Sequence, residues 1–520
     1  MAGIANSQLK EMQMSDGRAV TEHRTSSYRD ILHSTALIGA SSVVAMFFAL
    51  IRMKTIALLL GPTGVGTVAL LSSVVDVVVA LAGLGVSQSG IRQIAKAEGS
   101  GDKIRMAATV RTVQRTSIVL GLVGALALAA LSIPIAVLTF GGADYALGLA
   151  VLGLVVLFRI LTGSEAALLQ GTRRILDLAK LNIITSIAAV SIAVPILLVW
   201  REAAIVPMLV LTALAGWVTA RWYSRRADIV GSLAGSVPGE LGELLRLGVA
   251  FTVSGFLTMG AAYAVRMLVV QEAGIEAAGF YQAAWAIAGL YVGVVLQSMG
   301  TDFYPRLTAV VGDDAAVTRL VGEQTQVSLL LAGPGVIATI TFSHLLVTVF
   351  YAPGFSPAAS LLRWLSLGMM LRVITWPMGY IIVAKGWQKM FIATEVVATV
   401  IHVGLAAALM PLFGVDGAGA AFLCLYVCHG MLVYVIVRRN CGFVLPVQNL
   451  GLMALFGFCC AVAFAGFAYL PFWWATLLGL AMTCVTGLFS LFALLRLVPA
   501  GALPKPIRSL LSSVGANPAA

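Results

Sequence analysis

From about residue 34 to residue 500 the chain is a succession of apolar runs divided by short polar loops. Each run is near the roughly 20 residues that a helix needs to cross a hydrocarbon core. A transmembrane barrel would instead show alternating segments of about 10 residues. The pattern predicts an all-α, polytopic membrane protein with fourteen transmembrane helices, the first near 34–60 and the last near 473–496. The longest loops, near 223–245 and 301–323, join spans 6 to 7 and 8 to 9.

Composition excludes the soluble classes. Of 520 residues, 60% are hydrophobic and 11% charged, and the mean hydropathy is +0.98. Soluble domains carry about 25% charged residues. A formal net charge of +11 would suit nucleic acid in a soluble protein. Here the basic residues fall on alternate loops: Arg92, Lys96, Lys103 and Arg105; Arg173, Arg174 and Lys180; Arg221, Arg225 and Arg226; Lys385 and Lys389; Arg438 and Arg439. The intervening loops hold one basic residue, Arg201, and the acids Asp144, Glu202, Glu272, Glu276 and Asp416. The positive-inside rule then places both termini in the cytoplasm. The first 30 residues are polar and mixed in charge, and contain no short apolar core with a cleavage site. They read as a disordered cytoplasmic tail, not as a signal peptide. Six cysteines, mostly in apolar runs near the C-terminus, complete no zinc set with a histidine.

A shift of 213 residues aligns two parts of the chain: Gly61 with Gly274, Gly66 with Gly279, and Arg159-Ile160-Leu161-Thr162 with Arg372-Val373-Ile374-Thr375. Arg266 answers Arg52, one residue out of register. Six spans separate the copies, an even number, so both enter the membrane in the same direction. Two parallel six-helix lobes related by a pseudo-twofold along the membrane normal are expected, with a site at their interface near the midplane. The predicted domains are a cytoplasmic tail at 1–33, an N-terminal lobe at 34–225, a cytoplasmic linker at 226–245, a C-terminal lobe at 246–440, two extra transmembrane helices at 441–500 and a cytoplasmic tail at 501–520.

A charge at mid-membrane costs roughly 2.5–3.5 kcal/mol on insertion scales, so intramembrane charges mark candidate function. The spans hold Arg52, Lys54, Arg159, Arg266, Arg363 and Arg372 against Asp76, Glu165 and Glu395, with His402 in span 11. Arg159 and Arg372 lie nearest mid-span. Lone ion pairs between helices would balance; this set leaves positive charge over. A surplus suggests a ligand that brings negative charge, and the planar guanidinium fork suits phosphate. The candidate cavity residues are Arg52, Lys54, Arg159, Arg266 and Arg372. Asp76 and Glu395 are candidates to carry a coupling proton or sodium ion. Each has a plainer account: snorkelling to the interface for Arg52, Arg266 and Arg363, a structural ion pair for Arg159 and Arg372, salt-bridge partnership for Asp76 and Glu395, and contact with water for Glu165. Trp376-Pro377-Met378-Gly379 predicts a kink in span 10 just beyond Arg372.

No catalytic constellation is evident, and no cofactor beyond a coupling ion is predicted. Gly61-Pro62-Thr63-Gly64-Val65-Gly66 lacks the lysine and hydroxyl of a phosphate loop and follows no strand. The histidines are scattered.

Several features together resemble a known family. A basic residue precedes Ala57-Leu58-Leu59-Leu60-Gly61-Pro62-Thr63-Gly64-Val65-Gly66, the next span ends in Gly83-Leu84-Gly85, and Gly90-Ile91-Arg92-Gln93-Ile94-Ala95 follows at the cytoplasmic face. With the fourteen spans, these resemble the polysaccharide transporters of the multidrug/oligosaccharidyl-lipid/polysaccharide (MOP) exporter superfamily. Within it the likeness is to the Wzx-type flippases of O-antigen and other lipid-linked oligosaccharides, over about residues 30–500. The resemblance implies a multi-pass protein of the bacterial inner membrane with two lobes around a central cationic cavity. It implies a substrate of the undecaprenyl-pyrophosphate-linked sugar type, moved from the cytoplasmic to the periplasmic leaflet for lipopolysaccharide, capsule or exopolysaccharide synthesis. It also implies that Arg52 lines the cavity, as a first-helix arginine does in related lipid II flippases. Polysaccharide polymerase and chain-length proteins are implied partners, and nucleic acid is not. The rival readings are a drug or metabolite antiporter of the same fold, whose cationic cargo would favour an acidic cavity, a membrane glycan polymerase or ligase, for which a substantial periplasmic loop is expected, and a passive scramblase or channel. The N-terminal tail is longer than the family's usual one.

Overall fold

The computed structural model describes the backbone of residues 2–100, 102–226 and 240–497 and, apart from scattered positions, the side chains from residue 39 onward. The elements are α1 (Ala2–Ala82), α2 (Val86–Gly99), α3 (Lys103–Ala130), α4 (Ser132–Phe140), α5 (Ala146–Gly171), α6 (Ile175–Trp200), α7 (Ile205–Arg225), α8 (Glu240–Ser298), α9 (Tyr304–Ala309), α10 (Asp314–Thr341), α11 (Ser343–Phe350), α12 (Ala358–Ala384), α13 (Gln388–Phe413), α14 (Asp416–Cys441), α15 (Val447–Tyr469) and α16 (Phe472–Leu497). No strand occurs among the described residues. This is the all-α, polytopic membrane architecture that the apolar runs predict. Among the described residues ten helical stretches are long and apolar enough to cross a membrane, or eleven if the bent pair α10–α11 counts as one span.

Three stretches have double length: Gly39–Ala82, Ile175–Arg225 and Thr252–Gln297 contain 44, 51 and 46 residues. Each has room for two crossings of about 20 residues, and each is broken near its middle. A short 3-10 turn at Arg201–Ala204 separates α6 from α7. α1 breaks at Gly61 (φ 65°, ψ −167°) and α8 at Gly274 (φ 84°, ψ 174°). That region of backbone space is open essentially to glycine alone. After Gly61 the missing N–H of Pro62 reinforces the break.

Just past these breaks the two halves meet backbone to backbone. A Cβ added at Gly66 would collide with the carbonyl oxygen of Ile275, and one added at Gly279 with the carbonyl oxygen of Pro62. The contact is reciprocal: 66 meets 275 and 62 meets 279, the pattern that a twofold produces between like segments. The glycines aligned by the 213-residue shift are thus contact points between the halves.

Lipid replaces water as the outer solvent, so the exterior is apolar. Leu147, Val199, Leu412 and Phe458 are all strongly exposed, which costs little against hydrocarbon. Inside, small residues let backbones approach, as where Gly153 faces the backbone of Ala125. Buried hydroxyls turn back to the carbonyl four residues earlier, Ser73 to Ala69 and Thr325 to Val321, because no water is there to satisfy them. The two helices outside the repeat, α15 and α16, dock on α10. Gly322 lies under Pro446, Gly333 under Phe456 and Gly479 against Thr341. Asn449 Nδ2 donates to the Gly322 carbonyl oxygen at 2.8 Å.

The predicted disordered tail at 1–33 lies outside the residues whose side chains are described, which begin at Gly39. Most of the predicted linker and all of the predicted tail at 501–520 also lie outside them, and α8 already begins at Glu240. α12 runs as one helix through Pro377, the position of the expected kink, with α8, α10 and α14 packed along it and one backbone hydrogen bond missing. A sharp bend, 81°, lies between α10 and α11.

Candidate functional site

The aligned arginines, Arg159 and Arg372, each open onto a cavity, and the two cavities lie in different halves of the chain. The first, about 370 Å³, is walled by α1, α5, α6 and α7. Phe48 and Arg52 come from α1 before its break, Ser72 from α1 after it, Arg159 from α5, Thr185 from α6 and Thr212 from α7. The lining positions recur at steps of three and four, so each helix presents one face.

Arg159 Nη1 donates to Asp76 Oδ1 at 2.5 Å. The two side chains remain 44% and 34% exposed, so the pair is accessible to another anion. Arg52 is different. Its Nε is buried without a hydrogen-bond partner, and so is the Thr185 hydroxyl on the facing wall. A buried donor left unmade costs about 1–3 kcal/mol. Both residues line the same space, and an oxygen-rich occupant would relieve these groups once a small side-chain shift exposed them.

The second cavity, about 430 Å³, lies between one face of α8 and one face of α12. α12 contributes Met369, Arg372, Trp376 and Tyr380. The Arg372 guanidinium lies 5.2 Å from the centroid of the Trp376 ring and 6.0 Å from that of Tyr426, within cation–π reach. Its Nε is buried without a hydrogen-bond partner. Glu395, from α13, stands within electrostatic reach of Arg372. His402, also on α13, is buried beside Phe422, with ring centroids 5.8 Å apart.

The structure therefore separates residues that the charge tally had pooled. Arg52 and Arg159 share the first cavity and Arg372 lines the second, while Arg266 and Lys54 line neither. Arg266 is held by the Gln282 side-chain oxygen, at 3.2 Å from Nε and 3.0 Å from Nη2, and by the Ala262 carbonyl at 3.3 Å. Lys54 reaches across to the other half. Its Nζ donates to the carbonyls of Thr348 and Val349, at 2.9 and 2.8 Å. These are among the last carbonyls of α11, which a helix leaves unpaired and which carry the negative end of its dipole. Arg363 lies 4.6 Å from the Phe467 ring centroid. Glu165, expected to meet water, is covered by α3 and α7. Its side chain is 5% exposed and accepts from Arg221 Nη1 at 2.8 Å and from Gln114 Nε2 at 3.0 Å.

Sequence reasoning missed the hydroxyl wall of the first cavity, formed by Ser72, Thr185, Ser186 and Thr212, and the aromatic wall of the second, Trp376 with Tyr380. The available signal was the spacing of Arg372, Trp376 and Tyr380 at i, i+4 and i+8, one face of a helix. Among the described residues no group of His, Cys, Asp and Glu is placed to hold a metal ion.

Comparison with known proteins adds three findings. A family model described as "Polysaccharide biosynthesis protein" matches residues 55–360. The Lipid III flippases of Escherichia coli (strain K12) and Shigella flexneri are each 24% identical over 415 residues, covering 77% of this chain and 97% of theirs. Among solved structures, the lipid II flippase MurJ in an inward closed conformation matches with a TM-score of 0.66 at 12% identity, covering 89% of this chain and 99% of that one. An inward-facing MATE multidrug resistance transporter of the MOP superfamily matches with a TM-score of 0.64 at 14% identity, covering 78% and 95%. The fold is that of MOP superfamily transporters.

Proposed function

The chain belongs to the polysaccharide biosynthesis protein family, and on that premise we propose that it is a flippase for a polyprenyl-diphosphate-linked oligosaccharide. In this reading it works in the bacterial inner membrane with both termini in the cytoplasm. It carries the head group from the cytoplasmic to the periplasmic leaflet by alternating access, for synthesis of a surface polysaccharide such as O-antigen, capsule or exopolysaccharide. A glycan polymerase and chain-length proteins would take up the product.

The observation that carries this reading is the first cavity: Arg52 and Thr185 hold buried, unpartnered donors near the partly exposed Arg159–Asp76 pair. A diphosphate offers several anionic oxygens within a few ångströms. It would accept from Arg52 Nε, from the Thr185 hydroxyl and from Arg159, whose fork suits phosphate. Binding at Arg159 competes with Asp76. The displaced carboxylate then offers itself to a coupling proton or sodium ion, which ties substrate entry to an ion gradient. Glu395 beside Arg372 would do the same in the other half. The polyprenyl tail stays in lipid, against which the exterior of the bundle is already apolar.

The test is Arg52→Gln and Arg159→Gln in cells that make a lipid-linked glycan, with protein levels matched. Lipid-linked sugars should accumulate on the cytoplasmic side and export should fall at least tenfold, as expected when a charge-assisted hydrogen bond of about 1.5–3 kcal/mol is lost. Full export in both variants would remove the cavity from the mechanism. The antiporter reading requires efflux of cationic compounds to depend on the same residues. The enzyme reading requires glycan joining by the purified chain.

A further inference from the structure

The two cavities differ in chemistry, and the flippase reading leaves the second without an occupant. We infer that the cavity between α8 and α12 is a subsite for an uncharged pyranose ring, seated in the corner of Trp376 and Tyr380 with an oxygen accepting from Arg372. The inference rests on the flippase reading and names the part of the same substrate that this second site takes.

The walls support a ring-shaped, half-polar occupant. The rings of Trp376 and Tyr380 stand at 88° with centroids 6.0 Å apart, two sides of a corner. Tyr426, from α14, has its hydroxyl within reach of the Trp376 indole. Opposite them, α8 presents Gly289 and Gly293, where an added Cβ would meet nothing within 4 Å. These bare positions are open floor, not packing contacts. The volume, about 430 Å³, falls within the range of small-ligand clefts, about 300–1,000 Å³.

The chemistry selects among occupants. A pyranose has one face of C–H bonds, each made slightly positive by neighbouring oxygens, and such a face is attracted to the negative face of an aromatic ring. Its hydroxyl and acetamido oxygens are acceptors, and Arg372 Nε is a buried donor without one. A polyprenyl tail would leave that donor unmade. A second anion fits worse than a neutral acceptor, because Glu395 already lies within electrostatic reach of Arg372. In the first cavity two guanidiniums share the walls with hydroxyls, and one of them, Arg159, is paired with Asp76. In the second, one guanidinium faces aromatic rings.

The experiment uses two probes on the purified full chain: farnesyl diphosphate and farnesyl-diphospho-N-acetylglucosamine, each titrated to obtain Kd. The unaltered chain should hold the sugar probe about tenfold tighter than the bare diphosphate, the scale of an aromatic contact plus a hydrogen bond. Trp376→Ala should erase that difference while the bare diphosphate binds within about twofold of its original affinity. Trp376→Phe should keep most of it. Gly293→Leu, which fills the cavity where no neighbour stands in the way, should act as Trp376→Ala does and guards against a folding artefact at the indole. Equal affinity of the unaltered chain for both probes overturns the inference and leaves the flippase reading intact. So does a loss in Trp376→Ala and Gly293→Leu that is the same for both probes, or no loss for either. If the unaltered chain holds neither probe, the flippase reading fails and this inference falls with it.

Discussion

The two halves of the molecule share two backbone features and differ in side chains. Gly61 and Gly274 break their helices in the same region of φ and ψ, and Gly66 and Gly279 make reciprocal contacts. The arginine at the aligned position opens a cavity in each half. Around that arginine the likeness stops. Arg159 is tied to Asp76 and faces hydroxyls, whereas Arg372 lies against indole and phenol rings. The difference teaches that a duplicated scaffold fixes where a charge is placed, while the neighbouring side chains decide what the charge can bind.

Four predictions break or sharpen this comparison, from the largest effect to the smallest. Gly66→Ala and Gly279→Ala should be equivalent, because each would push a methyl group into a backbone carbonyl of the other half. Each should lower stability by about 1–3 kcal/mol, the range for overpacking, read as thermal unfolding in detergent. A large effect in only one of them would deny that the contact is reciprocal. Arg159→Gln and Arg372→Gln should be inequivalent in export. The first removes a phosphate ligand and leaves Asp76 unpaired, a loss of up to roughly a hundredfold. The second removes one hydrogen bond to a neutral acceptor and should cost about tenfold or less. Equal losses would mean that both cavities bind the same group.

Thr185→Val belongs to the first half only. It keeps the side-chain shape and deletes the unpartnered hydroxyl, so it should leave the ligand-free fold at least as stable and weaken binding of a prenyl diphosphate about three- to tenfold. Unchanged binding would place that hydroxyl outside the site. Lys54→Met tests the link between the halves. It removes the two hydrogen bonds to the end of α11, and because the site is partly exposed the cost should be only about 1 kcal/mol. Binding of prenyl diphosphate should be unaffected. A large loss of binding with normal stability would return Lys54 to the cavity.

Much of the scaffold was legible because its causes are local. Apolar length gave the helices, and Gly61-Pro62 and Gly274 announced two of the breaks. The internal repeat pointed to Arg159 and Arg372 as counterparts, and both do line cavities. Counting intramembrane charges was less informative. Glu165 is committed to Arg221, a loop-side base outside the tally, and Lys54 and Arg266 hydrogen-bond neutral oxygens. A count of charges treats them as one pool, but a charge in a bundle is answered by whatever atoms its own helix face brings within about 3 Å.

The sequence alone determined that this is a membrane-embedded helical bundle with excess positive charge. Hydrophobic length, helical period and loop charge are properties of short stretches and survive without knowledge of the fold. Only the tertiary structure decided which of those charges share a space. Lys54 meets the end of α11 across 295 positions of chain, and Arg159 meets Asp76 across 83. No local pattern encodes such meetings. They follow from how helix faces rotate and pack, and that packing leaves one cavity lined by hydroxyls and another by aromatic rings.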